Sequence, residues 1–431
     1  MVKQAYIEKK ITTSDDRLEL DTAATMFPLA FCDSHKSLIR LTITMNENVD
    51  SGNLQLALNR LIMRFPSFYV RLTHDDFQFY FERLDHAPII LKETEAIKPL
   101  SMTLDDLSRC AFRIIVAENR IALEYSHAVS DGCGGSVFLK SLIAEYLCIR
   151  YRVSIPCCSG VLSVNEAPTG DEMKDAYPDI AGTQGKLKDI SEAYGVKGKK
   201  DEKLHITELT FKTDELLNCA AEYGVTLTAL LSGVLTSALF DLQQYEHREK
   251  REIRLSIPID LRKRFNSDTL RNFTLPTTLY AGNLKNGLRF SALCKSFDKQ
   301  LKTNVCKEKL SVMATAYVKM AKSKFISALP LFFKRWIVRM FFSISKGGNC
   351  MTFSNMGVWQ IPNDMKPYVG QCSMAFSPKP TAPYNCGVIS VGNILTLTLT
   401  RSITEPLLES RVLQIIEKIL SNKNTRLELI A

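Results

Sequence analysis

Histidine is sparse in this chain, six among 431 residues. No second histidine or carboxylate stands at the spacing that closes a zinc site, so no metal is expected. Cysteine is plentiful, 12 in all, but never as Cys-x-x-Cys. Cys157 and Cys158 are adjacent, which suits joint binding of one zinc poorly. Met1–Asp16 lacks a signal-like start, so reduced thiols and a cytoplasmic location are expected. There is no Gly-x-Ser-x-Gly, which removes the strand-to-helix serine elbow as a nucleophile. The net charge of +9 is modest and spread out, which argues against nucleic acid as partner. Acidic residues are missing altogether between Glu308 and Asp364.

What is present describes a folded protein. Hydrophobic residues make up 45% and charged residues 23%, outside the range of disordered chains. The length exceeds one ordinary core and suits two domains of about 200 residues each. An apolar stretch opens at Leu18–Phe31, followed by an alternating strand over Ser37–Met45 and a helix near Leu54–Arg64. Two hairpins follow, Phe68–Thr73 with Phe77–Glu82, and Phe112–Ala117 with Arg120–His127. His74 and His86 fall in turn-like surroundings and are expected to be solvated.

Ile155–Lys203 is rich in Pro, Gly and charge. It reads as a crossover between domains, or alternatively as a disordered insertion. The expected division is residues 1–160, a linker at 161–203, and residues 204–431. The second part begins with strand His205–Lys212, a helix at Asp214–Tyr223 and a nearly all-apolar helix at Leu227–Gln243, expected to be buried between layers. A strand at Ile253–Ile259 and a hairpin of Gly387–Val391 with Ile394–Arg401 precede a closing helix, about Pro406–Leu420.

The chain is organised around Ile121–Ser136. A strand delivers His127 at its end, three residues separate it from Asp131-Gly132, and an amphipathic helix is expected over Val137–Arg150. Gly132 is expected to take a positive φ, reversing the chain so that Asp131 returns beneath His127. By chance, His-x-x-x-Asp-Gly should arise in roughly a few per cent of chains with this histidine content. The plain reading is a histidine that ends a strand before a turn; the strand–turn–helix context favours chemistry.

His127-Ala128-Val129-Ser130-Asp131-Gly132 resembles the signature of the chloramphenicol acetyltransferase-like superfamily. That group includes peptide-synthetase condensation domains, plant alcohol acyltransferases, wax ester synthases and alcohol acetyltransferases. Many members carry two adjacent histidines; Ser126 takes the first position here, as is tolerated in acyltransferases with the second histidine alone. Asp260-Leu261-Arg262 and Arg271-Asn272-Phe273 are similar to elements of the alcohol acetyltransferase-like branch. Met351–Val358 resembles a Ser/Thr-Asn-x-Gly element near the acyl-transfer tunnel. The plain alternative for Ser354 and Asn355 is that they satisfy backbone groups at a strand end. The Asp-Phe-Gly-Trp-Gly element of the plant branch is absent.

The resemblance implies an α/β fold (an α+β sandwich) of two acyltransferase-like domains, each a mixed, largely antiparallel sheet with covering helices, and an active-site tunnel between them. It implies acyl transfer from a coenzyme A thioester to an alcohol, with His127 as general base and acyl-coenzyme A as cosubstrate rather than a resident cofactor. Asp131 is expected to anchor structure through an ion pair, with Arg262 its candidate partner. Ser354 and Asn355 are candidates for the oxyanion or acyl-donor site. Cys133 reads as a packing residue. The alternatives are a carrier-protein thioester donor or an amine acceptor, and a non-catalytic relative that binds an acyl ligand.

One stretch stands apart. Phe325–Ile344 combines Phe332, Phe333, Trp336, Ile337, Val338, Met340, Phe341 and Phe342 with Lys334, Arg335 and Arg339. Charge interrupts it too often for a bilayer span. It reads as a helix packed on one face, as a peripheral membrane contact, or as an attractor for coenzyme A phosphates or an acidic carrier protein.

Overall fold

Alternation of Leu, Ile and Thr makes Leu38–Met45 a strand with one face in the core and a polar face that remains largely covered. It pairs antiparallel with Arg120–Ser126, the strand that leads into His127. The computed structural model describes residues 17–185, 192–247, 251–282, 289–344 and 348–421. Among these residues the first large sheet runs in the order Val369–Phe376, Leu38–Met45, Arg120–Ser126, Phe112–Ala117, Leu91–Lys92. The hairpin Val70–His74 with Phe79–Arg83 forms a smaller sheet with Arg17–Leu18.

The second large sheet runs Thr274–Tyr280, Arg254–Asp260, Met351–Val358, Tyr384–Val391, Ile394–Ile403, Lys200–Lys212. Met351–Val358 lies parallel to both its neighbours, and the other pairings are antiparallel. The mixed α/β architecture and largely antiparallel pairing are those expected. Leu227–Tyr245 packs as a central helix with most of its residues buried. Helix Phe290–Asn304 and helix Glu409–Ser421 pack against it.

Two long strands lie where no element was expected. Thr274–Tyr280 carries Pro276, which removes a ladder donor and is tolerated on an edge strand. Val369–Phe376 leaves the second half of the chain and pairs with Leu38–Met45 in the first sheet. Its residues Val369, Cys372, Met374 and Ala375 join Leu41, Ile43 and Leu123 in one core. The two halves therefore share a sheet and a core.

The described residues of 155–199 follow an irregular path with two short helices, Gly170–Met173 and Tyr177–Ile180. Much of this path is packed: Arg64 grips Glu172 through two bonds of 2.6 and 2.7 Å, and the Leu270 amide donates to the Glu172 carbonyl. Tyr177 is fully buried beside Phe273. Strand Lys200–Lys212 begins a few residues before the expected His205, and its start falls inside the expected linker.

Candidate active site

His127 leaves the first sheet at the end of Arg120–Ser126, its amide donating to the Ser37 carbonyl at 2.8 Å. The ring stacks on Phe27 with centroids 4.3 Å apart, and the residue remains partly exposed. Nδ1 lies 3.0 Å from Oδ1 of Asn272, a residue of the second half. Asn272 is itself oriented by Asp21, whose Oδ2 accepts from the Asn272 side-chain amide at 3.0 Å and from its backbone amide at 3.2 Å. With its NH2 spent on a carboxylate, Asn272 offers Nδ1 an acceptor. The proton of neutral His127 therefore belongs on Nδ1, and the Nε2 lone pair is left for a reacting group.

Burial pushes the His127 imidazole below its ordinary value of 6.5. Its own backbone carbonyl, Asp131 and Asn272 oppose that shift, and the Lys379 cation adds to it. The ring is neutral at pH 7, the state a general base requires. Burial pushes Asp21 up to about 6, against the pull of Arg271 and of the amides of Asn272 and Ala24.

Asp131 is turned away from this ring and serves another purpose. Its Oδ1 accepts from the Cys133 and Gly134 amides, both at 3.1 Å, which caps helix Gly132–Tyr151. Its Oδ2 accepts from the Phe273 amide at 2.8 Å. Arg262 meets both oxygens at 3.0 Å, a bidentate pair that joins the two halves. The guanidinium also donates to Asp260 and to the carbonyls of Thr269 and Arg271. The pair is buried but fully bonded, the condition under which a buried ion pair is tolerated.

The local fold departs from expectation at Gly132. It is the first helical residue and has no positive φ, because Asp131 caps a helix that starts five residues before the apolar pattern does. A Cβ at Gly132 would stand 2.7 Å from the Met356 sulfur, the end of a flexible side chain that would have to shift. Space is tighter still at Gly134, where a Cβ would meet the Leu270 carbonyl at 2.1 Å. Asp131 accordingly does not return beneath His127; Asn272 occupies that role.

Ser354 and Asn355 stand on Met351–Val358, close in sequence to the Met356 that touches Gly132. The Asn355 side chain is occupied, donating to Thr228 at 3.0 Å and accepting from the Gly357 amide at 2.9 Å. Ser354 is partly exposed, and its hydroxyl has no hydrogen-bond partner among the described residues. Burial raises the Cys133 thiol far above its ordinary range, with the Asp131 charge adding to it, so it is not a thiolate at neutral pH. No cluster of three metal-ligating side chains occurs among the described residues.

No family model and no curated protein matches this sequence. Solved structures do. Polyketide synthase associated protein 5 from Mycobacterium tuberculosis is similar at 14% identity and TM-score 0.59, over 94% of this chain and 96% of that one. TRI3 trichothecene 15-O-acetyltransferase from Fusarium sporotrichioides is similar at 12% identity and TM-score 0.59, over 96% of each chain. A variant of the starter condensation domain of rhizomide synthetase, in complex with C8-CoA and Leu-SNAC, aligns at 12% identity and TM-score 0.57, again over 96% of each. At these identities the likeness is one of fold: the chain has the two-domain architecture shared by an acetyltransferase and a condensation domain.

Proposed function

We propose that this chain is an acyltransferase that moves an acetyl or longer acyl group from a coenzyme A thioester to an alcohol, with His127 Nε2 as general base. The observation that carries this reading is the Asp21–Asn272–His127 chain of hydrogen bonds. It holds Nδ1 as donor and leaves Nε2 of a neutral, partly exposed residue free beside the junction of the halves. The acceptor hydroxyl passes its proton to Nε2 as its oxygen attacks the thioester carbonyl. The tetrahedral oxyanion then collapses, the carbon–sulfur bond breaks, and the imidazolium returns its proton to the departing thiolate. Ester and free coenzyme A thiol result. No covalent acyl-enzyme is required, which fits a Cys133 thiol held protonated. Ser354 is the candidate donor to the oxyanion, its hydroxyl having no other partner among the described residues.

A carrier-protein thioester or an amine acceptor would use the same base. The likeness to a condensation domain over nearly the whole chain supports keeping that reading as the second one. The non-catalytic reading has less support, because a protein that merely held an acyl ligand would have no need of a neutral, oriented imidazole.

The test is His127→Ala and His127→Gln in an assay of thiol release from short and long acyl-coenzyme A, offered alcohols and amines in turn. Both variants should lose about 100-fold or more in turnover, the usual scale for a general base, with the circular dichroism of the wild type. Undiminished transfer by folded variants overturns the assignment.

A further inference from the structure

Helix Leu331–Ile344 presents an apolar face that none of the described residues covers. Phe332 is 75% exposed, Trp336 57% and Phe333 52%, and Ile337 and Met340 are also open to solvent. At about 100° per residue these five positions occupy one arc of roughly 140°. Leu331 and Lys334, on the opposite side, are buried. Lys334 spends its ammonium on the carbonyls of Phe77 and Ser327, so it is an anchor and not a surface cation. Exposed Ile326 and Met320 lie on the two preceding helices.

Cations outnumber acids nearby. Lys319, Lys322 and Lys324 are exposed on those preceding helices, and Arg339 is exposed and Arg335 partly so on the helix itself. No acidic residue occurs in sequence between Glu308 and Asp364. Asp75 and Asp76, at the tip of the neighbouring hairpin, form the far wall of a groove beside Trp336 and Met340. Asp75 is engaged there by Arg17 and by the Phe77 and Gln78 amides. An aromatic ridge flanked by cations is complementary to a negatively charged, apolar-cored surface.

We infer that this face docks the protein on an anionic lipid bilayer, Phe332, Phe333 and Trp336 entering the headgroup boundary and the lysines meeting lipid phosphates. The inference is independent of the acyl-transfer reading. It has a consequence for access all the same: the helix packs against Met26–Ala30, the segment whose Phe27 stacks on His127.

The experiment is co-sedimentation of the full chain with phosphatidylcholine vesicles containing about 30% phosphatidylserine, at about 0.1 M and 0.5 M salt. Binding should be measurable at low salt and several-fold weaker at high salt. Phe332→Ser with Trp336→Ser should reduce it about tenfold or more, and Lys322→Gln with Lys324→Gln about 25-fold at low salt alone, taking roughly fivefold per cation. Both pairs are exposed, so folding should be untouched, checked by thermal unfolding. Wild-type protein that ignores these vesicles, or an aromatic variant that binds as the wild type does, overturns the inference. So does a lipid-free dimer that the aromatic variant converts to monomer, since the face would then belong to a second copy.

Discussion

A histidine used as a base has to be neutral, and its ring has to be fixed so that the lone pair faces the substrate. Here both conditions are met by neighbours on other parts of the chain. Since folding lowers the His127 value below 6.5, the basic form persists at neutral pH and is lost only as pH falls through that lowered value. The ratio kcat/KM should therefore be flat from about pH 8 to below 6.5 and then decline tenfold per pH unit. Asn272→Ala removes the acceptor on Nδ1. Turnover should fall at least about tenfold through loss of orientation and tautomer, with KM little changed. Asn272→Asp restores an acceptor and should recover part of the rate, while its charge stabilises the imidazolium and moves the acid limb upward. If both variants kept the wild-type profile and rate, Asn272 would have no positioning role. His127 and Asp131 could be singled out in the sequence because six consecutive residues carry them. Asn272 was visible as part of an Arg-Asn-Phe run but without a role, and Asp21 and Phe27 carried no local signal. Those three reach His127 through the tertiary fold, from positions a hundred or more residues away on either side.

At the scale of the element, Asp131 does two jobs that a sequence motif cannot separate. It caps a 20-residue helix and it neutralises Arg262 across the junction. Asparagine is as good an N-cap as aspartate, so Asp131→Asn leaves the helix start intact while stripping the guanidinium of its carboxylate. With side-chain exposures of 2% and 14%, the pair is buried. Breaking such a pair from one side costs about 3–5 kcal/mol. Urea unfolding should show that loss for Asp131→Asn, and a smaller combined loss than the sum when Arg262→Met is added, because the two sites share one interaction. A loss below about 1 kcal/mol would mean the cap, not the pair, is what Asp131 supplies. The helix itself was legible from its apolar spacing, but its first turn was not. Four of its first five residues are Gly, Gly, Gly and Ser, which read as turn chemistry until the close approach of Met356 to Gly132, of Leu270 to Gly134 and of Tyr125 to Gly135 is seen.

At the scale of the molecule, the strand Val369–Phe376 decides how separable the halves are. The strand-rich order and the helix Leu227–Tyr245 could be read from periodicity. This strand could not, because a chain position in the second half gives no hint of pairing with residues 38–45. Its insertion has a mechanical consequence. Residues 1–203 expressed alone would lose the partner of Leu38–Met45, turning an interior strand into an edge with unpaired amides and carbonyls. They would also uncover the core face now filled by Val369, Cys372, Met374 and Ala375, an apolar patch of the kind that drives aggregation. The expected outcome is that 1–203 is insoluble or aggregated by size-exclusion chromatography, whereas co-expression with 204–431 gives a soluble one-to-one complex. Denaturation of the intact chain should follow a single transition by both fluorescence and circular dichroism, since neither half completes its core without the other. A folded, monodisperse 1–203 would show that the first sheet is self-sufficient. In that case the inserted strand would join the halves without being needed to stabilise the first of them.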